Sequence, residues 1–255
     1  MLAHGILSQM QYAAEAAGGG GIPVAGYDFW FDFADASTIT ESGGVISSMT
    51  DVDGTYTLTP RAGYNAVYDA ANKRLDGQTS DNGYYLADNG TAIQAIFNTR
   101  NAASNDYTLV SILSENSSRN FPIGIRTESD KRWDTFFNDS TGRRDIVYGG
   151  QTFVSGITND DSKTTVLFSE LSSGNRTLYR WGTSESSGGP NAVGSPSADA
   201  NAFRIGATAR NTLTPAPSFT GYTYAHVLYP KTLTSQERSD IVTWAETYYG
   251  ITLQA

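Results

Sequence analysis

The chain of 255 residues has no cysteine, only two histidines, and 17 basic residues against 26 acidic ones. Without cysteine there is no disulfide framework and no thiolate zinc site, so the fold must rest on a core large enough to need no staples. Two histidines alone leave little from which to build a zinc centre. The formal charge of −9 and the lack of any Lys/Arg-rich run exclude a partner with a phosphate backbone, so nucleic acid and anionic membrane are not expected. No apolar run approaches the ~18–20 residues that would span a bilayer. The first residues lack a positively charged start, and Ser8, Gln9 and Gln11 break their apolar stretch, so a secretory signal is not expected either.

What the chain does have is aromatic residues, at 12%, and 26 glycines, with Ser, Thr and Asn between short apolar runs. That usage fits strands joined by many turns, and the length fits one large β domain, since such domains commonly run to ~200–250 residues. Alternating or β-rich segments occur at 26–34, 54–60, 83–88, 91–99, 107–114, 121–127, 132–138, 144–149, 163–171, 176–184, 202–208 and 219–230. About a dozen strands without an intervening helical period predict a two-sheet antiparallel sandwich. The Ser/Gly/Pro-rich stretch 184–201 reads as a long loop within the domain. Ahead of the domain, Leu2, Ile6, Leu7 and Met10 recur at helical spacing and are followed by Gly18–Gly21. The expected organisation is an arm, helical or extended, with a glycine hinge over 1–21 and a single β domain over 22–255.

The segment "FTGYTYAHVLYPKTLTSQERSDIVTWAETYYGI" carries the most local information. Strict alternation would put Tyr222, Tyr224, His226 and Leu228 on one face and Thr223, Ala225, Val227 and Tyr229 on the other. Pro230 ends the strand, and "TSQE" (Thr234 to Glu237) is a capping box that opens a helix. Ile241, Trp244, Ala245 and Tyr248 give that helix one apolar face, and Gly250 stands where a left-handed cap is wanted.

This ending, together with "FWFDFADASTITESGGVISSMTD" (29–51) at the start, resembles the laminin-G-like, concanavalin A-like domains of bacterial and bacteriophage proteins. The resemblance implies a jelly-roll of two curved sheets with one short C-terminal helix. Its relatives include lectins, carbohydrate-binding modules, glycan hydrolases and lyases, and virion-surface modules, so each activity must be sought in its own residues.

A retaining glycosidase needs two carboxylates ~5–5.5 Å apart. The nearest pattern, "ESDKRWD" from Glu128 to Asp134, lacks a second Glu and reads as a hairpin turn. A lyase would need a His/Tyr acid–base pair beside an arginine, for which Tyr224, His226 and Arg204 are the available residues. Neither pattern is complete, and no enzymatic activity is expected. The Asx-rich turns "DVDG" (51–54), "SDNG" (80–83) and "TNDDS" (158–162) offer oxygen ligands for calcium, although none has the spacing of an EF-hand loop. No cofactor is expected, and calcium is the one ion these turns would suit.

Glycan binding asks for aromatic rings that stack on sugar faces beside hydrogen-bonding groups. Trp133, Trp181, Tyr84, Tyr85, Asp81 and Asn82 are the candidates, whereas Trp30 and Trp244 are assigned to the core. An acidic sandwich carrying an apolar arm on a glycine hinge resembles a bacteriophage virion-surface component. The expectation is a capsid decoration or tail-fibre protein, assembled in the host cytoplasm and anchored by its arm to other virion proteins and sister chains, with a trimer favoured. Host-surface glycan is the added ligand. The alternative is an extracellular bacterial carbohydrate-binding or adhesion module.

Overall fold

The computed structural model describes residues 21–77, 86–88, 92–93, 95–96, 106–114, 120–126, 132–138, 143–148, 151–158, 164–173, 175–180, 183–188, 203–206, 219 and 221–253. For 120–122, 125–126, 132–138, 143–148, 151–158, 175–176 and 183–188 the description is of the backbone alone. The expected docking arm, with Leu2, Ile6, Leu7 and Met10, lies outside the described residues.

Among the described residues seventeen strands form. They begin with β1 (Phe29–Asp32), β2 (Ile39–Ser42), β3 (Val45–Thr50), β4 (Thr57–Pro60), β5 (Val67–Asp69) and β6 (Arg74–Asp76). Next come β7 (Leu86–Asp88), β8 (Tyr107–Ser114), β9 (Asn120–Arg126), β10 (Arg132–Asn138), β11 (Arg143–Tyr148) and β12 (Gln151–Thr158). The last are β13 (Thr164–Ser172), β14 (Asn175–Arg180), β15 (Thr183–Gly188), β16 (Phe203–Ile205) and β17 (Tyr222–Tyr229), followed by a helix at Ser235–Tyr249.

Every pairing is antiparallel. One arm of the sheet runs β1–β17–β8–β13–β14–β15. The other runs β5–β3–β4–β7–β16–β9–β10–β11–β12, with β2 also on β3. Strand β6 joins them, since it pairs with β5 along its length and with the first residues of β17, Tyr222 and Thr223. The result is a single all-β antiparallel curled sheet, a half-barrel, with one C-terminal helix. The expected division into two separate sheets is not seen, because the ladder through β6 is unbroken.

The curl encloses one core. Phe29 and Phe31 of β1, Leu109 and Leu113 of β8, and Leu228 of β17 meet Leu58, Leu86, Ile123, Phe203 and Ile205 from the other arm. The ring of Phe203 lies 5.5 Å from that of Phe29 and 6.0 Å from that of Phe31, so the two arms touch directly. Fully buried aliphatic and aromatic side chains stabilise by ~1.5–3 kcal/mol each, which is how a chain without cysteine holds together.

A second core lies between the outer face of the first arm and the helix, as the two-sided apolar pattern of β17 requires. Trp30, Val110, Ile112, Val166, Phe168, Tyr224 and Val227 face Ile241, Trp244, Ala245 and Tyr249. Trp30 and Trp244 are both buried, as assigned, and pack edge to face at 5.7 Å. The helix starts and stops where the sequence places it. Thr234 and Glu237 complete the capping box, and Gly250 takes the left-handed conformation at φ 64°. Its buried stripe differs by one residue, since Tyr249 is buried and Tyr248 is only partly so.

Three local expectations change. Alternation in β17 is interrupted by a bulge at Tyr224, because Thr223 pairs with Leu113 while Ala225 pairs with Ile112. Tyr224 and His226 therefore lie on opposite faces: Tyr224 packs under the helix, whereas His226 bonds Ser111 in the interior. The segment 91–99 was expected as a strand, but Ala92, Ile93, Ala95 and Ile96 are helical. Ile93 and Ile96, three residues apart, turn to the core. Finally, β15 runs to Gly188, so the stretch 184–201 begins in a strand.

Candidate functional site

The sequence-derived glycan residues Trp181, Tyr84, Tyr85, Asp81 and Asn82 lie outside the described residues. Trp133 is placed on β10, where its backbone pairs with Ile125 and Tyr148. Glu128 also falls outside, in the connection between the paired strands β9 and β10 that carry Arg126 and Arg132 in register.

The trio Tyr224, His226 and Arg204 does not converge. Besides the bulge that separates Tyr224 from His226, Arg204 sits on β16 between Phe203 and Ile205, whose side chains join the inner core, so alternation puts it on the opposite face of the sheet, where it is buried. His226 is fully buried; its Nδ1 is 2.9 Å from Ser111 Oγ, and burial pulls its pKa down to about 3. It is a neutral core residue. The "DVDG" turn is organised by its own backbone, since Asp51 Oδ1 accepts from the amides of Thr55 and Tyr56, both at 2.7 Å. Of the other two Asx-rich turns, 80–83 and 159–162 lie outside the described residues. Among the described residues no group of three or more His, Cys, Asp or Glu could hold a metal ion.

The sites that the structure does assemble lie around the helix. At its N-terminal end, Arg238 reaches into the sheet, donating to the Leu233 carbonyl and pairing with Glu170 at 3.4 Å over the ring of Tyr179. Thr108 Oγ1 donates to the Lys231 carbonyl and accepts from the Leu233 amide, which fixes the segment entering the helix. All of these groups are engaged with one another, so this end is an anchor.

The C-terminal end is different, because its groups reach the surface. The turn between β5 and β6 is short and strongly determined. Asp69 caps a 3-10 turn at Ala70–Asn72 by accepting from the Asn72 amide, and Lys73 closes it in the left-handed region, at φ 54°. Asn72 and Arg74 hold the Asp69 carboxyl below its usual range against the opposing effect of burial. This geometry sends two consecutive cations to different partners. Arg74 lays its guanidinium on the Tyr222 ring at 3.5 Å, with Nε 3.1 Å from Asp69 and one terminal nitrogen 3.5 Å from the Tyr224 hydroxyl. Lys73 Nζ donates to the Tyr248 carbonyl at 2.8 Å and sits 5.2 Å from the centre of that ring.

The tyrosines are themselves fixed. Asp32, buried at the end of β1, accepts from Tyr248 at 2.8 Å, from Tyr249 at 2.9 Å and from the Ala34 amide at 2.8 Å. Tyr248 stacks on Trp244 with centroids 5.0 Å apart, and Tyr249 meets Tyr224 at 5.5 Å. Burial raises the Asp32 carboxyl, opposed by the three donors it accepts from. Burial and then the Asp32 charge push the Tyr248 hydroxyl well up. Tyr248 is thus a hydrogen-bond donor to a buried carboxylate.

The partly buried residues Tyr222, Arg74, Asp69 and Tyr248, with exposed Lys73, thus form a preformed edge of aromatic rings, donors and one carboxylate. That combination offers donors and an acceptor for sugar hydroxyls beside aromatic edges. Sequence reading missed these residues. The available signals were the turn "DAANKR", with its Asx cap and two adjacent cations, and the pair Tyr248–Tyr249 next to a helix cap.

No protein-family model matches the chain, and no curated protein matches it in sequence. Solved structures do share its fold. A mutant of Trypanosoma rangeli sialidase displaying trans-sialidase activity matches with a TM-score of 0.61 and 17% identity, over 97% of this chain and 39% of that one. Trypanosoma rangeli sialidase in complex with sialic acid matches with a TM-score of 0.59 and 15% identity, over 96% of this chain and 38% of the other. The same sialidase in complex with 2,3-difluorosialic acid as a covalent intermediate gives 0.58 and 16%, over 95% and 38%. The chain therefore spans about two fifths of the length of these sialidases and shares with them a β-rich fold. The expectation of a protein without enzymatic activity is corrected by this finding, because these solved structures that share the fold are of a sialidase, a glycoside hydrolase. The virion, capsid and tail-fibre role expected from sequence receives no support from them.

Proposed function

We propose that this chain is a carbohydrate-recognising β domain of the concanavalin A-like type, working in glycan binding or glycan processing. The observation that carries the reading is the surface edge in which the Tyr222 and Tyr248 rings are packed against Arg74 and Lys73, with Asp69 beside them. Its parts are fixed by buried bonds to Asp32 and by the capped 3-10 turn, so little ordering would be needed on binding. The sialidase neighbours support the same reading, since they place this fold in proteins that act on glycans. Processing belongs to the proposal too, as an activity of this chain or of a larger protein that contains it.

The test is calorimetric titration and a glycan array with the purified chain, repeated with Tyr222→Ala, together with an assay for release of free sugar from sialylated substrates. Binding that Tyr222→Ala abolishes, in a variant with an unchanged melting profile, supports the site. Saturable binding that survives Tyr222→Ala places the sugar elsewhere. The absence of both binding and release on every glycan tested overturns the reading.

A further inference from the structure

We propose that the edge formed by Arg74, Lys73 and Tyr222 selects sugars that carry a carboxylate over neutral sugars; this rests on the carbohydrate reading above. The argument starts from donors. A guanidinium has five N–H donors, and the contacts of Arg74 engage Nε with Asp69 and one terminal nitrogen with the Tyr224 hydroxyl. The ring of Tyr222, 3.5 Å below, fixes the guanidinium plane while leaving its edge able to meet a planar anion. A neutral hydroxyl would use one donor there, whereas a carboxylate matches the fork.

The second cation strengthens the selection. Lys73 is exposed, and its ammonium is held by a backbone carbonyl and a ring face, neither of which neutralises it. Among the described residues it makes no ion pair with a carboxylate. Its left-handed backbone, unusual for a residue with a side chain, follows the Asp69-capped turn and leads the ammonium to the C-terminal end of the helix, while Arg74, next in the chain, turns to Tyr222. Each of these two consecutive cations sits over a tyrosine ring, in a chain with 26 acidic and 17 basic residues. The uncompensated charge of Lys73 adds a local positive field that favours an acidic sugar over a neutral one.

The experiment compares the 2-O-methyl glycoside of N-acetylneuraminic acid with its carboxyl methyl ester by titration against the full chain, at low and high salt. The acid is expected to bind about tenfold tighter than the ester at low salt, as a charge-assisted bond would give, with the ratio shrinking as salt rises. Arg74→Gln is expected to bring the ratio close to one. Lys73→Gln, at an exposed position, serves as a second variant should Arg74→Gln fail to fold, and is expected to reduce the ratio and its salt dependence. Equal binding of acid and ester by the unaltered chain overturns the selectivity and leaves the carbohydrate reading standing. Binding of neither, with no binding to any neutral glycan, overturns both.

Discussion

Protonating His226 should unfold the protein from the inside, and the size of the effect follows from its burial. The imidazole is fully enclosed and desolvation brings its pKa from 6.5 to about 3. Among the described residues Nε2 has no hydrogen-bond partner, so nothing there would receive the extra proton. Above pH 6.5 both folded and unfolded chains hold this residue neutral, and it contributes no pH dependence. Between pH 6.5 and about 3 the unfolded state takes up a proton that the folded state refuses, so stability falls as pH falls, by ~1.4 kcal/mol per unit in the steep part. From pH 7 to pH 5 the loss is about 2 kcal/mol, a large share of an ordinary total of ~5–15 kcal/mol.

Other groups titrate in this window in the opposite sense. Burial raises the carboxyls of Asp32, Asp51 and Glu170, so their folded forms take up protons first and gain relative stability on acidification. The clean measurement is therefore a difference. Urea unfolding would be followed at pH 7, 6 and 5 for the unaltered chain and for His226→Gln, which retains a partner for Ser111. The unaltered chain should lose about 2 kcal/mol more than the variant between pH 7 and 5. Parallel curves would refute the reasoning, because they would mean that His226 is solvated or already charged in the folded state.

Two further perturbations test the anchors of the fold. Arg238→Met leaves Glu170 buried without its partner and should cost ~3–5 kcal/mol, most of it recovered in the double variant with Glu170→Leu; a loss below about 1 kcal/mol in urea would show the pair to be solvent-screened. Gly221→Ala should be among the most damaging single-methyl additions, since its Cβ would overlap the Ser114 carbonyl oxygen and the Phe219 ring just where β17 begins to pair. A melting temperature within a degree or two of the unaltered chain would show that this end of β17 is free to shift.

Most of the fold could be read from the sequence wherever the signal is short-ranged. Thr234 to Glu237, Pro230 and Gly250 fix the ends of the strand and helix through bonds within a few residues, and each was placed correctly for that reason. Aromatic alternation at 29–32 and 222–229 likewise declares strands buried on both sides. The two stretches that carried the family resemblance turn out to be in contact: Asp32 accepts from Tyr248 and Tyr249, and Trp30 packs on Trp244. A strand end and a helix end more than 200 positions apart are thus matched because one buried carboxylate needs both hydroxyls.

The candidate site could not be read in this way. Lys73 and the Tyr248 carbonyl are 175 positions apart, and Arg74 and the Tyr224 hydroxyl 150. Nothing in "DAANKR" says that two tyrosines will lie beside it, and the aromatics singled out from sequence were chosen by type and local exposure alone. Similarly, the bulge at Tyr224 is invisible in a strand that alternates well, because a bulge is a property of the ladder with β8. The sequence by itself determined that this is an all-β chain closed by one capped helix, since periodicity and caps act within a turn or a strand. Only the tertiary structure decided that β6 joins the arms into one sheet, that Tyr224 and His226 part company, and that two cations meet a tyrosine edge, because register and packing are set between segments distant in the chain.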